Sequence, residues 1–364
     1  MTTERLVLVA DIGKSRCRVE LRAVTEDSSS VIGSAGAAGF AGLGIADGAA
    51  AAFRLIADAA GQLEAGAAGA PGAPGPLAGR LSSVGAAVAG VEASAPQSRE
   101  LAGLLALHFQ APAAVLSDAT AAHLGALDGG PGTILIVGTG AVAFRFERDP
   151  DDEFERPGAL HRGDGWGPLL GDRGSGRWIG QQGLSAALEA YDGGPATSLE
   201  RLAGEHLASA VAGSAMAGTV PAGSAAAAPG QAGSDAPAEL PPLTGLPGWL
   251  ASQENPYRAM AGFTPVVLAQ AEAGDAVAGG IIGEACLHLT RTVSRAIGQS
   301  SLRHVALLGG VVDSPYFAGR LAADLKEAGI DVVPAVGNGL AGAELAATGH
   351  NLLQERYIHR DGTP

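Results

Sequence analysis

An α/β fold is predicted for this chain, and two features predict it. Short apolar strands alternate with helical segments along most of its length, and two of those strands break at glycine turns and resume as strands. The first such unit is RLVLVA at residues 5–10, the turn Asp11-Ile12-Gly13-Lys14-Ser15, and CRVELRAV, which alternates outward. The second begins at Thr133 with TILIVGTGAVAFRFE, where Gly138-Thr139-Gly140 interrupts the run and Val142, Phe144 and Phe146 then alternate with Ala143, Arg145 and Glu147. Sheets of this kind bind ligands at strand ends.

At 364 residues the chain is long enough for two domains. Hydrophobic residues reach 47% with only 4% aromatic, so alanine and glycine do much of the filling. A net charge of -14 argues against nucleic acid or anionic membranes as partners. Cys17 and Cys286 lie far apart and form no CxxC or Cys/His spacing, so no disulfide framework, zinc site or iron–sulfur site is indicated. The amino-terminal apolar run is too short for a signal peptide, and no run reaches membrane-spanning length, which places the protein in the cytoplasm.

Taken in order, residues 33–48 read as a flexible glycine-rich loop and AAAAFRLIADAAGQLEA as a helix with Phe53, Ile56 and Leu63 on one side. Residues 65–79 are low-complexity. LSSVGAAVAGV is a buried strand, SRELAGLLALHF a helix capped at Ser98, and APAAVLSDAT a strand ending at Asp118. TAAHLGAL begins the next helix, and two more follow Trp178. Residues 213–241 lose all periodicity, which predicts a mobile insertion reaching to about 245. Two helices joined at Gly274-Asp275 come next, then HVALLGGVV as a final strand with Gly309-Gly310 at its end, a helix from SPYF, the edge strand DVVP, and a last helix at about 339–353. Trp249 is a local packing anchor, and His123, His206 and His288 sit in helices without metal spacing.

Three places can carry chemistry. Backbone N–H groups of the two glycine turns can form anion-binding nests, or the turns can be plain hairpins; two such turns facing each other would hold a nucleotide's phosphates from both sides. Asp11, at a strand end, either caps its turn or holds Mg²⁺ through water. Asp118 is either a helix N-cap or a general base projecting into a cleft. After the second unit, residues 163–180 read GDGWGPLLGDRGSGRWIG, dense in glycine around Asp164 and Asp172; ordered glycines there, including Gly165 and Gly167 around Trp166, suit a backbone that approaches a ligand closely.

Taken together, DIGKSRCR, SDATAAHLGA, TILIVGTGAVA, GWGPLLGDRGSGRWIG, AEAGDAVA and HVALLGGVVDSP resemble, over nearly the whole chain, the N-acetylglucosamine kinases of the BadF/BadG/BcrA/BcrD ATPase family. The resemblance implies a two-domain actin-like (ribonuclease H-like) fold with ATP and Mg²⁺ in the interdomain cleft. The first domain is residues 1–132, the second 133–364, and the last helix crosses back to the first. It implies a base at Asp118, sugar contacts at Asp172, Gly165, Trp166 and Gly167, and magnesium at Asp11. Phosphate contacts fall at Gly13, Lys14, Ser15, Gly138, Thr139 and Gly140, and nucleoside contacts at Gly309 and Gly310. A homodimer is expected. The sequence departs from the family pattern where Ile12 and Lys14 replace glycines, where Arg173 replaces a glutamate, and where the 33–48 segment lacks a sugar-binding asparagine. Lys14 either reaches a phosphate or faces solvent, and Arg173 either pairs with Asp164 or Asp172 or reads the substrate. The implied reaction is transfer of the ATP γ-phosphate to a hydroxyl of N-acetylglucosamine or a related amino sugar, the 6-hydroxyl first. The alternatives are an ATPase acting on a protein partner, as the family's radical-enzyme activators do, and a sugar or nucleotide sensor without turnover.

Overall fold

The computed structural model describes residues 4–13, 16–67, 77–148, 158–216 and 243–362. Lys14, Ser15 and most of the 213–245 segment lie outside the described residues.

The chain builds one strand plan twice. Strands β1 (Arg5–Ile12), β2 (Arg16–Val24) and β3 (Ser29–Ala38) make an antiparallel meander. After helix α1 (Gly48–Ala67), β4 (Ser83–Val88) joins parallel to β1; after α2 (Ala95–Phe109), β5 (Ala113–Ser117) joins parallel to β4. Helix α3 (Asp118–Ala126) leads to the second meander, β6 (Gly132–Val137), β7 (Ala141–Glu147) and β8 (Ala159–Asp164). Then come α4 (Gly176–Tyr191), α5 (Leu199–Met216), α6 (Leu246–Ser252), α7 (Pro256–Ala261), α8 (Thr264–Glu272) and α9 (Ala276–Ile297). Strand β9 (His304–Leu308) is parallel to β6, and after α10 (Pro315–Glu327), β10 (Asp331–Val333) is parallel to β9. Helix α11 (Gly339–Thr348) and β11 (Ile358–Asp361) return to the first sheet, β11 pairing antiparallel with β5. The strand orders are β3-β2-β1-β4-β5-β11 and β8-β7-β6-β9-β10.

Period-two alternation splits β1 between two cores: Leu8, Ala10 and Ile12 pack with Ile56 of α1 and Leu101 and Leu105 of α2, while Val7 and Val9 pack with α3 and α11. Strands β4 and β5, covered on both faces, are buried throughout, which is why they read as unbroken apolar runs. The second sheet buries Leu135, Val137 and Ala143 against α4, α8, α9 and α10.

Helix α3 carries small and apolar residues on two faces because it is packed on both sides. Ala121 and Leu124 enter the first sheet's core beside Leu340 and Ala343 of α11, and Ala119, Ala122 and Ala126 meet Ile134, Phe144 and Ala306 of the second sheet. A Cβ at Gly342 would fall inside van der Waals distance of the Ala121 carbonyl oxygen, so only glycine allows α11 to lie this close to α3. Arg22 of β2 holds α11 to the first sheet, donating to Glu344 Oε2 at 2.8 Å and to Glu20 Oε2 at 2.6 Å. His123, buried in α3, lies 2.9 Å from the carbonyl oxygen of Gly132 through Nε2 and 3.0 Å from Gln354 Nε2 through Nδ1. Both contacts are satisfied by the neutral ring with its proton on Nε2, and burial pulls the imidazole down to about 4.

Several sequence expectations are corrected. Residues 33–38 belong to β3, not to a loop: an edge strand needs only backbone pairing with β2, which its Ser, Ala and Gly residues permit. Helix α2 starts three residues earlier, capped by Ser94; Ser98 is inside it, donating to the Ser94 carbonyl at 2.9 Å. The 256–300 region holds three helices, with Asp275 as the N-cap of α9. Residues 213–216 continue α5, and Leu243 is buried in a 3-10 turn. The last helix stops at Thr348, and β9 is not the final strand. Trp249 does pack against the second core, edge-on to His206. Among the described residues no single helix is long and apolar enough to cross a membrane; one pair bent by 113°, Pro256–Glu272 with Ala276–Ile297, passes by length and composition together.

Candidate active site

In each sheet the central parallel strands end on the candidate residues. At the end of β6 the Gly138-Thr139-Gly140 turn closes with a Gly138 N–H bond to the Gly140 carbonyl at 2.9 Å, and Thr139 is exposed. The first amides of α4 hold this turn from behind: Gly176 N–H donates to the Gly138 carbonyl at 2.8 Å and Arg177 N–H to the Thr139 carbonyl at 3.1 Å. A side chain at Gly138 would meet nothing within 4 Å, so the turn faces open space. Beside it, Gly309 follows β9 at φ 101°, and a Cβ there would lie 2.5 Å from the Val137 carbonyl oxygen. A glycine is therefore required for the β9 exit to lie against the end of β6. Gly310 comes next in the same exit, before Val311, whose N–H donates to that carbonyl at 3.1 Å.

Strand β8 delivers Asp164 to the glycine-dense loop. Asp164 and Asp172 both take left-handed backbone (φ 54° and 56°), a conformation that costs energy for a non-glycine residue and persists only where surroundings enforce it. The enforcement is mutual: Asp164 Oδ1 accepts from the Asp172 N–H at 2.9 Å and Oδ2 from the Arg173 N–H at 3.2 Å. The Asp172 carboxylate in turn accepts the N–H groups of Ala141 and Gly167. It also sits 2.9 Å from where a Cβ of Gly140 would be, so it lies directly against the glycine turn. Burial pushes the Asp172 carboxyl above its ordinary range and nearby Asp164 adds to that; the two amides and the Arg177 charge pull it back only in part.

Gly165 and Gly167, at φ 71° and 85°, flank Trp166, which is 67% exposed and therefore available to a ligand. The Arg162 guanidinium lies 4.5 Å from the Trp166 ring centroid, anchored on the carbonyls of Asp164 and Gly165. Arg173 does not pair with Asp164 or Asp172: its side chain is exposed and in no ion pair among the described residues. Both oxygens of Asp164 face the loop's own amides, and the exposed Arg173 guanidinium is left to solvent or a ligand.

On the first sheet, Asp11 is half-buried at the end of β1, with Gly13 following. Its carboxylate lies 3.1 Å from where a Cβ of Gly339 would be, at the start of α11. Burial, with the Asp11 charge second, pushes the neighbouring Cys17 thiol up to about 11. Asp11 suits a hydrated Mg²⁺, which needs few protein oxygens; among the described residues no group of three or more His, Cys, Asp or Glu could hold a metal. Asp118 is exposed and is the first residue of α3 rather than the end of a strand. The N-cap is Ser117, whose Oγ accepts the Thr120 N–H at 3.1 Å, so capping does not account for Asp118. Its Oδ1 accepts the Ala119 N–H at 2.9 Å.

The structure thus brings Gly138–Gly140, Gly309, Asp172 and Trp166 onto one side, with Asp11 near the end of β1 and Asp118 at the start of α3 on the side of the other sheet. Three participants escaped the sequence reading: Arg162, which orients Trp166; Asp164 in its role as organiser of the loop; and Arg177 beneath it. A cation in the first turn of a helix, as at Arg177, is the one local signal that was available.

The structure is similar to a Chromobacterium violaceum protein described provisionally as an N-acetylglucosamine kinase, over 94% of this chain and 98% of that one (TM-score 0.64, 23% identity). It is also similar to a Porphyromonas gingivalis protein described in the same way (93% and 98%, TM-score 0.57, 16% identity). A ROK family glucokinase from Streptomyces griseus, solved with glucose and AMPPNP, aligns over 94% and 99% (TM-score 0.50, 14% identity). In sequence, 77 residues are 43% identical to an N-acetyl-D-glucosamine kinase of Dictyostelium discoideum, which is 21% of this chain and 22% of that one. A further 35% identity over 78 residues links it to an N-acetylmuramic acid/N-acetylglucosamine kinase of Clostridium acetobutylicum, 21% of this chain and 23% of that one. Each curated match thus spans under a quarter of the relative. No protein-family model matches the chain. The fold is the two-domain actin-like fold of sugar kinases.

Proposed function

We propose that this chain, built on the actin-like fold shared with sugar kinases, is an ATP-dependent kinase that phosphorylates N-acetylglucosamine or a related amino sugar. The observation that carries the reading is the Asp172 carboxylate fixed against the Gly138–Gly140 turn: an acceptor for sugar hydroxyls adjoins a backbone nest suited to phosphate. The names of the similar proteins support the amino sugar specifically. Residues 1–132 and 133–364 are taken as the two domains, with α11 returning to the first.

In this reading the nucleotide's phosphates lie at Gly13, Lys14 and Ser15 on one side and Gly138, Thr139 and Gly140 on the other, and the nucleoside lies at Gly309 and Gly310. Mg²⁺ would be held near Asp11 through water, neutralising phosphate charge. Asp172 and the Gly165-Trp166-Gly167 segment hold the sugar, the indole offering an apolar face. Asp118, heading the helix packed between the two sheets, takes the proton of the attacking hydroxyl, the 6-hydroxyl first. Catalysis is then mostly positioning and charge stabilisation.

Release of ADP from MgATP, measured with and without a panel of amino sugars, tests this. Sugar-dependent release with N-acetylglucosamine among the best acceptors is expected. Sugar-independent release would favour an ATPase serving a protein partner, and no release with intact binding would favour a sensor. Cys17 and Cys286 lend the activator reading nothing, since each is buried in the core of a different sheet.

A further inference from the structure

Arg177 breaks three local rules at once. The residue is only 6% exposed, which a guanidinium tolerates only where carboxylates and acceptors surround it. It stands in the first turn of α4, where the aligned peptide dipoles repel a cation. Its Nε has no hydrogen-bond partner among the described residues. Residues that violate several local preferences together are commonly held there by function.

Its contacts converge on the sugar-side loop. Nη2 donates to the Gly171 carbonyl at 3.1 Å, the peptide immediately before Asp172, and Nη1 donates to Gln181 Oε1 at 2.7 Å, one turn along α4. Its backbone N–H holds the Thr139 carbonyl of the glycine turn. The titratable groups facing it are Asp172 and Asp164 of the loop and Tyr257 of α7. Asp172 faces Asp164 and Arg177, together with the amides of Ala141 and Gly167. A second carboxylate disfavours the charged form of a buried one, and an adjacent positive charge favours it.

We propose that Arg177 is a positioning residue for this loop: its guanidinium pins the Gly171 carbonyl and supplies the charge that keeps the Asp172 carboxylate an acceptor only, so that the loop takes an uncharged polyhydroxyl ligand by its hydroxyl hydrogens. An ionised carboxylate cannot donate, so the hydroxyl it binds must point its proton inward and leave its lone pairs elsewhere. The consequence for the sugar rests on the kinase reading; the effect on Asp172 does not.

Arg177→Met keeps the side-chain stem and removes charge and fork, whereas Arg177→Lys keeps the charge alone. The Asp172 carboxyl is titrated without sugar by carbon-13 NMR, assigned with Asp172→Asn, and sugar KM and kcat are measured beside melting curves. In Arg177→Met, Asp172 should titrate at higher pH than in the parent, with Arg177→Lys returning it towards the parent value. Sugar KM should rise on the order of ten- to a hundredfold, the scale of a hydrogen bond to a charged group, with kcat changed less. An Asp172 titration unchanged in Arg177→Met overturns the proposal, as does an unchanged KM with only the melting temperature lowered. Should Arg177→Met not fold, Arg177→Lys alone decides: KM must rise through lost fork geometry while Asp172 titrates as before, and a parental KM refutes it. If the parent phosphorylates no sugar, a shifted Asp172 in Arg177→Met retains the positioning role and removes only the sugar, while an unshifted one removes both.

Discussion

Asp118→Asn separates chemistry from folding because the cap of α3 does not need the charge. Ser117 caps α3, and the 2.9 Å bond from the Ala119 N–H to Asp118 Oδ1 can be accepted equally by an amide oxygen. What the fold loses is a negative charge in the first turn of a helix, about 0.3–1 kcal/mol. A general base contributes about 10²–10⁴-fold, which at ~1.36 kcal/mol per tenfold is roughly 3–5 kcal/mol of barrier. The two effects differ several-fold, so they can be told apart in one variant. Turnover is followed by coupled ADP release at saturating N-acetylglucosamine, with sugar and nucleotide binding measured by calorimetry and folding by thermal melting. The expected result is turnover down by at least about a hundredfold, near-parental binding of both ligands, and a small change in melting temperature. A variant that turns over like the parent would reduce Asp118 to a residue of the strand-to-helix corner. Lost sugar binding with the fold intact would instead make it a sugar-holding group.

Three further outcomes test how the site is supported. Gly342→Ala places a methyl against the Ala121 carbonyl and should destabilise the protein by about 1–3 kcal/mol in urea unfolding, because backbone rather than a flexible side chain must give way; a parental midpoint would show that α11 can slide. Asp275 is pushed up by burial but drawn further down, to about 2, by the N–H groups of Ala278 and Ser198 and the hydroxyls of Ser198 and Thr197. Its contribution is thus complete above its ordinary value and lost as pH falls through about 2, and Asp275→Ala should cost about 1–2 kcal/mol at neutral pH, read from the urea midpoint. His123, held near 4 in the folded state, stays neutral where the unfolded chain's imidazole protonates. Stability should therefore be full above the ordinary histidine range and fall as pH drops towards 4, by at most about 3 kcal/mol, and His123→Gln should flatten that slope in midpoints measured across the range.

The parts of the molecule legible in the sequence are those where one local requirement dominates. Buried parallel strands such as β4 and β5 take mostly small and apolar residues, and the Gly309 exit, at φ 101° against the Val137 carbonyl, needs glycine, so both leave plain marks. Three of the four edge strands, all but β10 with its DVVP run, leave none. Strands β3, β8 and β11 are held by a neighbour's backbone, and their Gly, Ser, His and Arg residues read as loop. That omission has a functional cost, because β8 is the element that delivers Asp164. The glycine-dense loop shows that Asp164 and Asp172 are special but not how they differ. Only the folded arrangement divides them: Asp164 spends its two oxygens on the loop's own amides, while Asp172 turns towards the glycine turn. The same geometry removes one of the two fates open to Arg173, pairing with Asp164 or Asp172. A carboxylate whose oxygens already accept buried amides attracts an exposed guanidinium only weakly, and the cation it does face is Arg177, four residues further along and inside the protein. Charge pairing in this loop follows burial rather than sequence distance, because the attraction that matters is the one water does not screen.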